Sequence, residues 1–298
     1  MEFTTAHGTG NDFVVLADLD DHIELSAAFA RALCDRRFGL GADGVLRLGA
    51  GRDGAQVFMD HRNADGSTAE MCGNGVRVAA KHVVDHGLVH PDPDGAVRIG
   101  TRDGVKRVTV VSRHPDGRVV EVAVDMGPPM LDPARVPFEA DDPHALQHGI
   151  VVRDSLVQLS VVSMGNPHGV TVVDDVALAP VTTLGPLLET HRRFPQKANI
   201  GFAQILSDDA IRLRVWERGV GETAACGTGA CAAVVALQRL GHLTDQADVH
   251  LPGGTLTVHH RPGGTVTMTG PAVEIAHGAL DDGWLTAARR GETEVRTP

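Results

Sequence analysis

Basic residues are scarce: 27 Lys and Arg stand against 38 Asp and Glu, for a formal net charge of -11. Aromatic residues make up only 3% of the chain, and tyrosine is absent. Without a basic run or a basic strip interleaved with aromatic residues, nucleic acid is excluded as an expected partner. No apolar run reaches the roughly 18 residues of a membrane span. The start, Met1-Glu2-Phe3-Thr4-Thr5, has no basic segment leading into an apolar one, so no secretory leader is read there and a cytoplasmic setting is expected. Only four cysteines occur. Without a secretory signal they point to a reducing compartment and free thiols rather than a disulfide framework. Neither His-Glu-x-x-His nor paired Cys-x-x-Cys occurs, so the 16 histidines specify no metal site and none is expected.

What is present is ordinary for a globular protein: 42% hydrophobic and 22% charged residues over 298 positions, long enough for two domains. The 35 glycines and 16 prolines imply many turns between short strands. One stretch appears twice. The first copy is Glu70-Met71-Cys72-Gly73-Asn74-Gly75-Val76-Arg77, and the second is Ala224-Ala225-Cys226-Gly227-Thr228-Gly229-Ala230-Cys231. Each places a cysteine before Gly-x-Gly and an Ala/Val run, and each run ends at a glycine, Gly87 or Gly241. The pattern predicts a cysteine delivered to the first turn of a buried helix that stops at the glycine. Unpaired N–H groups and the helix dipole at that end favour a thiolate and a bound carboxylate, so each thiol is expected below its reference pKa of about 8.5.

The two copies lie 154 residues apart, as do Asn63 and Glu217. Gly10-Asn11-Asp12-Phe13 and Gly165-Asn166-Pro167-His168 lie 155 apart, as do Gly44 and Asn199. Ordered matches at a nearly constant offset indicate duplication. They predict two similar domains related by an approximate two-fold axis, with the cysteines facing one ligand across a cleft. A thiolate and a thiol on opposite faces of a carbon can remove a proton from one side and deliver one to the other without a cofactor. Two helix N-termini aimed at the α-carboxylate would stabilise the carbanion between these steps.

Ser26 to Arg37 has helical spacing with Ser26 as cap, and Cys34 on the apolar face reads as core. Gly39-Leu40-Gly41-Ala42-Asp43-Gly44 matches a dinucleotide fingerprint only formally. A helix precedes it and a strand follows, so it reads as a turn. Strands are expected at 56–60, 97–101, 105–113, 118–125, 149–153, 156–164, 169–173, 211–216, 248–251, 255–260 and 265–269. Met126-Gly127-Pro128-Pro129 is the candidate linker. The expected domains are 1–125 with 272–298, carrying Cys72, and 126–271, carrying Cys226. Cys231 reads as core, and His259-His260 alternates across a strand. Asp281 to Arg290 reads as a short helix in a tail of unassigned role.

Asn63-Ala64-Asp65-Gly66-Ser67 leading to Met71-Cys72-Gly73-Asn74-Gly75-x-Arg77 resembles the signature of the diaminopimelate epimerase family. So do Gly8-Thr9-Gly10-Asn11-Asp12-Phe13, Gly165-Asn166-Pro167-His168, and Trp216-Glu217-Arg218-Gly219-Val220-Gly221-Glu222-Thr223 running into Cys226-Gly227-Thr228-Gly229. The resemblance implies a two-domain α/β (α+β type) fold, each domain a curved, mostly antiparallel sheet around a central helix. It implies cofactor-independent interconversion of LL- and meso-diaminopimelate, in lysine and peptidoglycan-precursor synthesis, with Cys72 and Cys226 as the acid/base pair. Gly73, Asn74, Gly227 and Thr228 are implied to bind the reacting carboxylate through backbone N–H groups. Asn11, Asn63, Asn166, Asn199 and Arg218 are implied to hold the remaining amino and carboxylate groups. Glu217 is implied to contact an ammonium and to position the site with His168. Read from the residues alone, the asparagines fit turns and Glu217-Arg218 fits a surface ion pair. Many family members carry glutamine where this chain has Gly44, so one side-chain contact to the substrate is missing or replaced. The partner is a small molecule; a homodimer is admitted but not required.

Other readings stay open on the sequence. A proline or hydroxyproline racemase of the same fold would leave Arg218 and the asparagines unexplained. A related isomerase using a carboxylate is disfavoured by the presence of both cysteines. A cysteine hydrolase would need a histidine base, for which His168 is the nominee. A redox or binding protein would pair Cys72 with Cys226 in a switchable disulfide.

Overall fold

The computed structural model describes residues 1–153 and 155–291. They divide into two compact units, Met1–Val124 with the segment from Gly270 onward, and Asp125–Thr269. The Asp281-to-Arg290 expectation lies within the described residues, whereas 292–298 of the expected first domain lies outside them.

The first unit begins with β1 (Glu2–Gly8) and β2 (Asn11–Asp18). Thr9 (φ 55°) and Gly10 (φ 80°) both take the left-handed region, as a two-residue hairpin turn requires. Next come α1 (Ala27–Cys34), β3 (Gly44–Ala50), β4 (Val57–Asn63), α2 (Gly73–Asp85), β5 (Ala96–Thr101), β6 (Gly104–Arg113) and β7 (Val119–Asp125). Ser26 caps α1 by accepting from Phe29 N, as its position at the start of the apolar periodicity implies. The helix stops at Cys34 rather than Arg37, and the glycine-rich stretch after it is the connection into β3. Along the unit the pairings run antiparallel (β1–β2), parallel (β2–β3), antiparallel (β3–β4), parallel (β4–β5), then antiparallel twice (β5–β6, β6–β7).

The second unit contains β8 (His148–Val152), β9 (Ser155–Ser163), β10 (Pro167–Val172), α3 (Val181–Glu189), β11 (Asn199–Ser207), β12 (Ala210–Glu217), β13 (Gly221–Glu222), α4 (Gly227–Arg239), β14 (Gln246–Leu251), β15 (Gly254–His260) and β16 (Val266–Pro271). From β9 the pairings repeat the first unit's sequence: antiparallel (β9–β10), parallel (β10–β11), antiparallel (β11–β12), parallel (β12–β14), then antiparallel twice (β14–β15, β15–β16). Register repeats as well. Phe13 lies opposite Gly44 in the first unit and His168 opposite Asn199 in the second. Leu46 faces His61 as Gly201 faces Val215. Two folded copies of one plan are what duplication of the sequence produces.

Each unit is organised on a helix of small residues. Positions Gly73 through Val83 of α2 are all buried, and the helix touches every strand from β1 to β6. Likewise α4 touches β9, β10, β11, β12, β14 and β15. A helix surrounded in this way has no solvent face, so Ala, Gly and Val replace the polar stripe of a surface helix. Two elements lack a sequence signal. Pro186 sits inside α3, which masks its helical pattern, and β11 follows after the connection 190–198. Both are held by tertiary packing: Val181 and Leu188 share a core with Phe194, Ile200 and Phe202.

The tail has a structural role that its sequence did not reveal. A last strand, β17 (Val273–Ala279), pairs antiparallel with β1, and α5 (Asp282–Arg290) follows. Asp281 caps α5 by accepting from Trp284 N. Leu285 and Ala288 join the core of Phe29 and Leu33, and Trp284 Nε1 donates to Phe38 O at 2.9 Å. Burial of Leu285 alone stabilises this closure by roughly 2 kcal/mol. Among the described residues, no helix is long and apolar enough to cross a membrane.

Candidate active site

In the first unit Cys72 is the N-cap of α2, with extended backbone (φ -142°, ψ 114°). Its Sγ accepts from Gly75 N at 3.4 Å and lies 3.9 Å from Asn11 Oδ1. Sulfur therefore takes the place of the Ser or Asp oxygen that ordinarily caps a helix. Asn11 is fixed on two sides: Nδ2 donates to Asp43 Oδ2 at 2.9 Å, and Oδ1 accepts from Asn74 Nδ2 at 3.2 Å. Asp43 is in turn held by Arg36, which also forks onto Asp12. Asn63, at the end of β4, donates from Nδ2 to Ser67 Oγ at 2.9 Å. The N–H of Gly73 belongs to the first helical turn and has no intrahelical acceptor.

Cys226 is the corresponding N-cap of α4. Its Sγ meets Thr228 Oγ1 at 3.6 Å and the Glu217 carboxylate. Gly227 and Thr228 supply first-turn N–H groups there. Glu217 also accepts from Thr223 Oγ1. Asn166 Oδ1 meets His168 Nε2 at 2.9 Å. Asn199 is buried and engaged with backbone, donating from Nδ2 to Pro167 O at 3.2 Å and accepting from Arg218 N at 2.9 Å. It ties the start of β10 to the turn after β12. Arg218 itself donates from Nη1 to Gln196 O at 3.2 Å.

One expectation is overturned. The helix N-terminus alone predicts a depressed thiol pKa at both cysteines, but at Cys226 burial pushes the thiol well up and the Glu217 carboxylate pushes it further. A carboxylate at hydrogen-bond range and a fully desolvated sulfur outweigh a terminal dipole equivalent to roughly half a charge. His168 is also neutral: burial and the nearby Arg218 charge lower it to about 3. Cys34 and Cys231 are buried as core residues.

Two residues emerge whose roles were not legible before folding. Arg77 is fully buried and donates to Thr9 Oγ1 at 2.6 Å, Asn74 Oδ1 at 3.0 Å and Pro271 O at 3.3 Å. It pins the β1–β2 turn, and so Asn11, to the start of α2. Its place in the Cys-Gly-x-Gly-x-Arg stretch was the available signal. The second is His61. A Cβ on Gly44 would lie 2.8 Å from His61 Nε2 and 2.8 Å from Arg62 O. The imidazole therefore occupies the room that a side chain at 44 would need. At the repeat positions the second unit has the opposite arrangement, a side chain at Asn199 and the smaller Val215. His61 packs edge-on against Phe13, with ring centroids 5.6 Å apart. Burial lowers its pKa to about 4.

The sequence profile described as "Diaminopimelate epimerase" matches residues 3–131 and 160–275. The diaminopimelate epimerase of Pseudomonas aeruginosa PAO1 is 47% identical over 283 residues, covering 94% of this chain and 99% of the relative. That of Alkalilimnicola ehrlichii is 46% identical over 282 residues, covering 94% and 98%. The chain belongs to the diaminopimelate epimerase family. Among solved structures, a probable proline racemase from Agrobacterium radiobacter superposes with a TM-score of 0.68 at 17% identity, covering 94% of this chain and 93% of that one. A hydroxyproline epimerase from Agrobacterium vitis gives a TM-score of 0.67 at 17% identity, covering 97% and 98%. These likenesses establish a shared two-domain fold.

Proposed function

We propose that the chain interconverts LL- and meso-diaminopimelate by a two-base mechanism without a cofactor, with Cys72 and Cys226 as the proton-transfer groups. The observation that carries this reading is the duplicated cysteine N-cap in a chain 47% identical to diaminopimelate epimerases. Cys72, capped by the Gly75 N–H, suits the thiolate that takes the α-proton. Cys226, kept protonated by burial and Glu217, suits the thiol that delivers a proton to the other face. The roles exchange in the reverse direction. Backbone N–H groups of Gly73, Asn74, Gly227 and Thr228 receive the α-carboxylate as negative charge develops beside it. Asn11, Asn63, Asn166 and Arg218 bind the remaining amino and carboxylate groups, Arg218 through its planar fork. Glu217 receives an ammonium, and His168 and Asn199 hold these groups in place.

A proline or hydroxyproline racemase is disfavoured: that likeness stands at 17% identity and concerns the fold. A cysteine hydrolase is disfavoured because the acidic group beside Cys226 is Glu217, while His168 pairs with Asn166. The same reading puts the enzyme in the cytoplasm, in lysine and peptidoglycan-precursor synthesis, and admits a homodimer without requiring one; light scattering tests the last point. Proton NMR of reduced protein with LL-diaminopimelate in deuterated water tests the chemistry. Loss of the α-proton signal with growth of the meso isomer supports it. Exchange of proline or hydroxyproline instead, or no exchange at all, overturns it.

A further inference from the structure

The last turn of α2 presents His82, and His86 follows one turn on along the same face, while β17 brings Glu274 beside them. His82 Nδ1 is 2.7 Å from Glu274 Oε1, and His86 Nε2 is 3.1 Å from Glu274 Oε2. The three donor positions lie within 4.8 Å of one another. The two rings overlap at 4.3 Å between centroids. The side chain of His82 is 6% exposed, that of Glu274 23% and that of His86 43%. The cluster thus has a closed floor and one open side. That side faces a groove of about 990 Å³ whose lining also includes His22 and His277.

Two imidazole nitrogens and a carboxylate converging on one point match a transition-metal site. Bonds of about 2.0–2.2 Å to a four- to six-coordinate ion set neighbouring donor atoms about 3 Å apart. Each ring nitrogen already lies about that far from a Glu274 oxygen, and rotation of the His86 ring, 43% exposed, draws donors that now lie within 4.8 Å of one another around a single ion. Binding replaces the protons now shared between rings and carboxylate; each ring coordinates through the nitrogen that faces Glu274 and keeps its proton on the other. Imidazole donors select zinc, cobalt or nickel over magnesium or calcium, which take oxygen sets. Position adds to this preference: His86 is the C-cap of α2, where the negative end of the helix dipole favours a cation. The pair is visible in the sequence at helical i, i+4 spacing, but its carboxylate is 188 residues away from His86.

We propose that His82, His86 and Glu274 form a binding site for one divalent ion of the zinc class, separate from the cysteines. Water from the groove completes the coordination, and the ion ties β17 to the end of α2. The test uses full-length, reduced protein stripped with chelator and titrated with Co²⁺. The expected result is one equivalent bound, with visible d–d bands, no sulfur-to-cobalt charge-transfer band, displacement by Zn²⁺ and a higher unfolding temperature. His86→Gln and Glu274→Gln should each weaken binding at least about tenfold with diaminopimelate exchange unchanged. His86 is the most exposed of the three, so its variant keeps the test valid if Glu274→Gln fails to fold. No binding at millimolar Co²⁺, binding by His86→Gln equal to wild type, or a thiolate charge-transfer band would each overturn the proposal. Because the readout is spectroscopic, it fails or succeeds independently of the proposed epimerisation.

Discussion

Replacing Arg77 by methionine removes a guanidinium that is buried at the start of α2. Methionine follows the arginine stem closely, so little cavity opens. What disappears is donor capacity. Thr9 Oγ1 and Asn74 Oδ1 lose donors at 2.6 and 3.0 Å, while Pro271 O and Gly73 O lose longer contacts at 3.3 and 3.5 Å. Thr9 and Asn74 are 1% and 3% exposed, so bulk water does not readily replace what they lose. A hydrogen bond to a charged group contributes about 1.5–3 kcal/mol. Two such bonds contribute about 3–6 kcal/mol, and methionine also removes the cost of burying the charge, which offsets part of that loss and leaves a net of roughly 2–4 kcal/mol. At about 2–4 °C per kcal/mol for a unit of this size, the unfolding temperature should fall by about 4–16 °C. Exchange of the substrate α-proton should also slow, because the turn bearing Asn11 is no longer anchored beside Cys72. Arg77→Lys, which keeps the charge without the fork, should fall between the two. Thermal unfolding by circular dichroism, with exchange followed by NMR, measures both. A drop of less than about 3 °C in Arg77→Met would refute the hydrogen-bond argument.

Cys72→Ala and Cys226→Ala should each lower epimerisation by at least about a thousandfold with an unchanged far-ultraviolet spectrum; normal turnover in either single variant would end the two-base reading. Glutamine at position 44 meets the backbone at Arg62 O and the His61 ring. Gly44→Gln should therefore cost roughly 1–3 kcal/mol, and adding His61→Val should recover part of it; strict additivity in urea titrations would show that the ring does not fill that space. His61 and His168 have folded pKa values of about 4 and about 3, below the usual 6.5. Between 6.5 and those values the unfolded chain binds more protons, so the stability they confer is complete above pH 6.5 and is lost as pH falls. Each ring contributes a slope of up to about 1.4 kcal/mol per pH unit. Urea midpoints should drop from pH 7 to pH 5, and His61→Val should make that dependence shallower; an unaltered slope would contradict burial as the cause.

The repeated Cys-Gly-x-Gly stretches determined the two buried helices, their cysteine N-caps and the duplication, because spacing, glycine and small side chains act locally on the backbone. Ordered motifs along nearly the whole chain likewise carried the family. Other features depended on partners distant in sequence. α3 forms around an internal proline because Val181 and Leu188 find Phe202 and Ile200. The tail closes the first unit because β17 meets β1 and α5 meets α1. Asn199, read as a substrate contact, has its amide engaged by the backbone of Pro167 and Arg218. His61 fills the space left by Gly44 because strand register sets them on one face. At Cys226 the terminal dipole is a local property and was legible, whereas the burial and the Glu217 carboxylate that reverse its effect exist only once the strands enclose the helix. Desolvation and charge proximity are set by the folded surroundings of a group, and sequence spacing carries neither.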